Sequence, residues 1–161
     1  MTQWYPKPAV YDTRGWHAMP YLDIGEFYSE FGSFDVTITL PDNYVVGATG
    51  TLQTPEEWAF LHQKEAETRR EIARRESQPV SFEKRPKKTP AVYPPSSATR
   101  KTLRFTAEQV HDFAWFADKR FYVLRDTARL AGGRTVDCWA MFPEENFNRW
   151  KNGAINERRA V

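Results

Sequence analysis

Phe34-Asp35-Val36-Thr37-Ile38-Thr39-Leu40 is the stretch on which the fold turns. Its apolar residues occupy every second position, with Asp35, Thr37 and Thr39 between them. Successive side chains of a strand point to opposite faces, so this period of two predicts a strand with one face in a core and one in water. Upstream, Phe27, Tyr28 and Phe31 form a short β-prone run that ends at Gly32. Downstream, Pro41-Asp42-Asn43 turns the chain, and Tyr44 to Thr49 reads as a second strand closed by Gly50. Glu26 to Leu52 is therefore expected to be a strand meander with short links.

The same alternation returns after residue 100, where Leu103 and Phe105 lie between Thr102, Arg104 and Thr106. An aromatic-rich stretch follows, with Val110, Phe113, Trp115 and Phe116. Arg120 to Arg125 and Arg134 to Phe142 then predict two strands, with Gly132-Gly133 as their turn. The strands before residue 53 and those after residue 100 need one another to bury their apolar faces. Residues 54–100 read as an insertion at a turn, where closing a longer loop adds little free energy.

The first half of that insertion is a helix. Thr54-Pro55-Glu56-Glu57 supplies an N-cap residue, a first-turn proline and a glutamate three residues after the cap. Trp58, Leu61, Ala66 and Ile72 form a sparse apolar stripe. Arg69, Arg70, Arg74 and Arg75 crowd the far end, where the helix dipole favours cations. So narrow a stripe places the helix on a surface. The second half, residues 77–100, holds five of the eleven prolines together with Lys84-Arg85 and Lys87-Lys88, and reads as a long exposed loop. The first 24 residues mix prolines with Trp4, Tyr5, Tyr11, Trp16 and Tyr21, which excludes a long helix and predicts extended chain with a turn at Asp12-Thr13-Arg14-Gly15. After Pro143, residues 144–161 are polar and predict helix. The sum is a mostly β fold: an antiparallel sandwich or saddle-like sheet with one inserted α-helix and a proline-rich loop, the β domain spanning residues 1–143.

Composition narrows the function classes. The 161 residues are 40% hydrophobic and 15% aromatic, enough for one domain with a real core. No apolar run approaches the roughly 20 residues of a bilayer-spanning helix. A single cysteine, Cys138, rules out an internal disulfide, and its place between Val136 and Ala140 reads as a small core residue. The net charge of +2 conceals an asymmetry: residues 56–104 hold 12 Lys/Arg against 7 Asp/Glu, and the remainder 11 against 14. Basic residues and aromatics lie mostly in different stretches, which argues against a nucleic-acid interface. His17, His62 and His111 are far apart, so no local pair of zinc ligands exists. Phosphate loop, nucleophile elbow and H-E-x-x-H are all missing from the sequence. Asp112 and Asp118 flank an aromatic run and are candidate paired carboxylates. Phe113, Trp115, Phe116 and Phe121 predict packing between sheets, with a sugar- or peptide-stacking surface as the alternative.

Three stretches carry a resemblance. Residues 25–41, reading Gly25-Glu26-Phe27-Tyr28-Ser29-Glu30-Phe31-Gly32 and on through Phe34–Leu40 to Pro41, continue to Val45-Val46-Gly47-Ala48-Thr49-Gly50. Thr2-Gln3-Trp4-Tyr5-Pro6-Lys7 opens the chain, and Thr106-Ala107-Glu108-Gln109-Val110-His111-Asp112-Phe113-Ala114-Trp115 lies in its second half. Together they resemble part of the N-terminal domain of aminopeptidase N-type zinc metallopeptidases, the gluzincins, and cover most of the chain outside residues 54–100.

The resemblance implies an all-β, saddle-like domain preceding a catalytic domain that holds the zinc ligands and the general base. It implies a chain that begins inside that N-terminal domain and ends, over residues 144–161, on the linker helix into the catalytic one. No catalytic and no metal-binding residue is expected in residues 1–161; zinc is expected in the catalytic domain. The partners implied are that domain and a peptide substrate, in an extracytoplasmic or membrane-associated parent. At the family's Thr-Gln motif, Gln3 stands where an amide reaches the cleft and helps hold the substrate's free amine and first side chain. Tyr5 stands where the family often has a second Gln or Glu, and is expected to shape the side-chain pocket. The alternative function is a stand-alone β-sandwich module that binds protein or glycan through its aromatics, without hydrolytic activity.

Overall fold

The computed structural model describes residues 4–20, 28–78 and 92–161. Gln3, Phe27 and the Lys84-Arg85 and Lys87-Lys88 pairs lie outside the described residues. The chain is mostly β, and every strand pair among the described residues is antiparallel. The alternating stretch forms β3, Gly32–Pro41, with Ile38 and Leu40 buried and Asp35, Thr37 and Thr39 exposed. Its partner is β6, Arg100–Val110, in a register that sets Ile38 opposite Leu103 and Val36 opposite Phe105.

The expected meander is corrected. β4 (Val45–Ala48) pairs with β7 (Trp115–Asp118), and β5 (Thr51–Leu52) pairs with β6. None of β3, β4 and β5 pairs with another of the three. Each finds its partner beyond residue 99, which is how the two groups of strands bury their apolar faces. β7 carries no polar–apolar alternation in its sequence, because its exposed residue, Phe116, is apolar like the half-buried Trp115 and Ala117 on either side. Gly50 makes the turn into β5 at φ +87°, and a Cβ there would stand 2.3 Å from the Thr106 carbonyl oxygen, so only glycine fits. Near the N-terminus, β1 (Val10–Asp12) and β2 (Gly15–His17) form a hairpin. At its turn the Asp12 carboxylate accepts the Arg14 N–H at 2.8 Å.

Helix α1 spans Pro55–Glu76. Thr54 sits at its N-cap but does not cap it: its hydroxyl accepts the Arg104 N–H at 3.0 Å and ties the helix start to β6. Glu57 closes no capping box either. It is buried and bound by the Lys101 ammonium at 2.7 and 2.8 Å, while the same ammonium lies 4.0 Å from the centre of the Phe60 ring. Burial pushes the Glu57 carboxyl up, against the pull of Lys101. The inward stripe is thus Glu57, Leu61 and Thr68 at its most buried positions, and two of the three are polar. A hydrophobicity pattern cannot see such a face.

β8 (Tyr122–Arg129) and β9 (Thr135–Phe142) form a hairpin closed at Gly132 and Gly133, both at positive φ. One face of this pair, with Val123, Trp139 and Met141, joins the main core of Ile38, Val45, Leu103, Phe105 and Phe113. The other, with Leu124, Ala140 and Phe142, is covered by residues from α2 (Phe147–Trp150) and α3 (Gly153–Ala160), chiefly Phe147 and Ala154. Residues 144–161 therefore fold back onto the sheet. Cys138 is buried in β9 as a small core residue. Of the aromatic cluster, Phe113 is fully buried, Trp115 and Phe121 pack against the core, and Phe116 is exposed. No helix among the described residues is long and apolar enough to cross a membrane.

Candidate functional site

β3 and β6 slip register between Gly32, opposite Val110, and Phe34, opposite Ala107. β6 carries the extra residue, and Gln109 takes a left-handed φ of 54° in this bulge. The bulge bends the end of β6 and turns His111-Asp112-Phe113 toward the start of the chain. Thr49 and Ala114 then lock the turn to β4: the Thr49 N–H donates to the Ala114 carbonyl at 2.9 Å, and the Ala114 N–H donates to the Thr49 hydroxyl at 3.1 Å.

Asp112 is the centre of the resulting cluster. Its carboxylate accepts the Phe113 N–H at 2.7 Å and the Tyr5 hydroxyl at 3.0 Å, and pairs with the Lys7 ammonium at 2.9 Å. The Trp4 indole N–H donates to the Phe113 carbonyl at 2.7 Å. The Tyr5 ring meets Phe34 edge-on and the Trp4 ring meets Phe113 edge-on, with centroids 5.6 and 6.3 Å apart. Segment 4–7, more than a hundred residues away in sequence, is thereby pinned to the bulge by three polar contacts and two aromatic ones.

The electrostatics follow from this geometry. Partial burial alone would raise the Asp112 carboxyl, but the Lys7 ammonium, the Phe113 N–H and the Tyr5 hydroxyl together hold it below the usual carboxylate range. Burial, reinforced by the neighbouring Asp112 charge, pushes the Tyr5 phenol up. At neutral pH the pair is an ionised carboxylate and a neutral phenol. Asp112 anchors the Tyr5 hydroxyl and the Lys7 ammonium. Asp118 is held ionised by Arg120, 2.7 Å away, in a separate ion pair. The two candidate carboxylates are thus committed to different cations and do not act as a pair.

Of the residues expected to bind substrate, Tyr5 is in this cluster with its hydroxyl engaged by Asp112. Gln3, two residues before it, lies outside the described residues. The histidines stay apart. His17 Nε2 lies 2.9 Å from Asp12 Oδ1. His62 sits between Glu65 and the Trp58 and Trp139 rings, and His111 packs on Phe31. Among the described residues no three His, Cys, Asp or Glu side chains converge to hold a metal. Sequence reasoning missed Lys7, for which a lone lysine between two prolines offers no signal. The chain matches no family model, no curated protein and no solved structure.

Proposed function

We propose that residues 1–161 are the non-catalytic N-terminal portion of a zinc aminopeptidase-like metallopeptidase, walling one side of a peptide cleft. One observation carries this reading: the three stretches that resemble that family converge on one point. Tyr5 and Lys7 come from the first, Phe34 from the second, and Asp112 and Phe113 from the third. The Asp112 clamp holds Tyr5 and Lys7, two and four residues beyond Gln3 in sequence. A polar anchor of that kind serves a cleft only if its backbone is held. The resemblance assigns hydrolysis to the catalytic domain of the parent.

Two measurements test this. The 161-residue chain, given zinc and an aminoacyl anilide, turns over no substrate; hydrolysis by the chain itself would overturn the assignment. In the full-length protein, Tyr5→Phe removes the bond to Asp112 and raises KM for peptides with a free amino terminus by roughly fivefold, the equivalent of about 1 kcal/mol, with kcat unchanged. An unchanged KM removes the segment from the cleft.

The second reading, a binding module for protein or glycan, is favoured by the β1–β2 hairpin. There Tyr11 and Trp16 face each other across the strands with ring centroids 4.9 Å apart, and are 65% and 72% exposed. A reading frame after Val161 with no H-E-x-x-H within one domain length decides for this module.

A further inference from the structure

The β8–β9 pair has two outer edges, and the protein treats them differently. On β8 two of the outward groups are bonded by helix α1. The Val123 N–H donates to the Thr68 hydroxyl at 2.9 Å, and the Arg125 carbonyl accepts from the Arg69 guanidinium at 2.9 Å. Residues directly opposite each other in an antiparallel pair turn their backbone groups either both inward or both outward. Val123 stands opposite Met141, and Arg125 opposite Trp139. Met141 and Trp139 therefore turn their N–H and C=O away from β8, and by alternation so do Asp137 and Thr135. No hydrogen bond from a described residue reaches these outward groups of β9.

All four residues line one groove of about 890 Å³. Its opposite wall is β4. The Thr49 N–H bond to Ala114 continues the β4–β7 ladder, so Gly47 and Val45 face inward to β7, and Val46 and Ala48 turn outward. Val46, Gly47 and Ala48 line the groove in succession, and six of the seven residues from Thr135 to Met141 do the same. A strand seen face-on would offer every second residue. Lining in succession means that two strand edges look into the groove. The Met141 side chain, on the core face of β9, reaches across to β4, its Sδ 3.0 Å from the place of a Cβ on Gly47.

We propose that this groove is a strand-addition site, occupied by an extended segment of a partner polypeptide that hydrogen-bonds along the open edge of β9. Unpaired N–H and C=O groups in a row call for a main-chain ladder, which a helix, a lipid or a glycan does not supply. The walls state the side chains. On the face shared with the main core stand Trp58, Leu61 and Phe121, which take apolar residues at alternate positions. On the other face Trp150 and Glu157 line the groove. Burial pushes the Glu157 carboxyl up, and no cation among the described residues pairs with it, so a Lys or Arg of the partner fits there.

The test uses the 161-residue chain and pooled synthetic peptides of roughly seven residues, the length of an ordinary strand. Val, Ile or Phe occupies alternate positions, with Thr, Lys or Arg between. Amide exchange of residues 135–141 and 46–48 slows by roughly tenfold or more, while β3 and β6 are unaffected. Asp137→Pro removes an outward N–H and none of the β8 ladder, so it abolishes the protection. Asp137→Ala, which loses the ion pair with Arg125 and the hydrogen bond from the Thr127 hydroxyl but no backbone group, keeps it. No slowing with any pool overturns the proposal. So does equal slowing by peptides methylated at alternate backbone nitrogens, and this comparison decides even if Asp137→Pro fails to fold. Protection without peptide that grows with protein concentration assigns the edge to a second copy of the chain and overturns the partner.

Discussion

Thr68 carries more of the fold than its residue type suggests. It is 2% exposed in the middle of α1, and its hydroxyl serves two backbones at once. It donates to the Lys64 carbonyl within the helix at 2.8 Å and accepts the buried Val123 N–H of β8 at 2.9 Å. Thr68→Val keeps the shape and removes both bonds, leaving the Val123 N–H buried without a partner. The expected loss is about 1–3 kcal/mol in urea unfolding, with the slope unchanged. A loss within error would mean that water reaches β8 and that the helix does not seal this edge. Asp112 illustrates the same rule at the other end of the molecule. A short polar side chain at a bend earns its place through groups remote in sequence, here Tyr5 and Lys7. The sequence marks Asp112 as a candidate but says nothing of either partner.

The C-terminal end of α1 is an element latched by charge. Arg75 donates to Glu71 at 2.6 Å, grips Glu144 at 2.9 and 2.8 Å, and lies 3.8 Å from the centre of the Phe147 ring. Hydrogen bonds from Arg74 and Arg75 lower the Glu71 carboxyl from 4.5 to about 2, and Arg75 lowers Glu144 as well. A carboxyl whose folded value lies below its unfolded one adds stability that is present above the unfolded value and lost as pH falls through the folded one. The latch is therefore intact at neutral pH and released as pH falls from 4.5 toward about 2. Burial, with the Glu144 hydrogen bond, pushes the Tyr122 phenol up to about 12, so the alkaline side stays closed until beyond its ordinary value of 10.0. Arg75→Gln, melted across pH 2 to 7, is expected to flatten the acid limb relative to the parent chain. An acid limb identical in the two chains would place the titration elsewhere. The run of arginines at this end was legible as a dipole effect. The partner Glu144, sixty-nine residues on, was not.

Across the whole molecule, residues 54–100 are an insertion by topology, and the helix they begin with is a part of the fold by packing. The entry and exit are adjacent, since the Gln53 N–H donates to the Arg104 carbonyl at 2.8 Å, as expected of a segment added at a turn. Yet α1 supplies Leu61 to the main core and covers the β8 edge through Thr68 and Arg69. Replacing residues 54–99 by a short Gly-Ser link closes the loop with little entropic cost. It also strips that edge and exposes Val123, so cooperative thermal unfolding is expected to disappear in calorimetry. A sharp transition in the shortened chain would show that the strands fold without the helix.

Local physics was enough for much of this architecture. Alternation marks β3 and β6, the glycine pair marks the β8–β9 turn, and proline with charge placement marks α1, because each signal arises from neighbours along the chain. The absence of catalytic motifs is likewise a property of the sequence. Which strands pair was a different matter. β3, β4 and β5 look like a meander because their links are short, but each pairs with a strand beyond residue 99. The bulge at Gln109, the Asp112 clamp and the open edge of β9 exist only once those distant segments meet. Burial, long-range hydrogen bonds and strand edges are relations between remote residues, so tertiary structure alone could decide them.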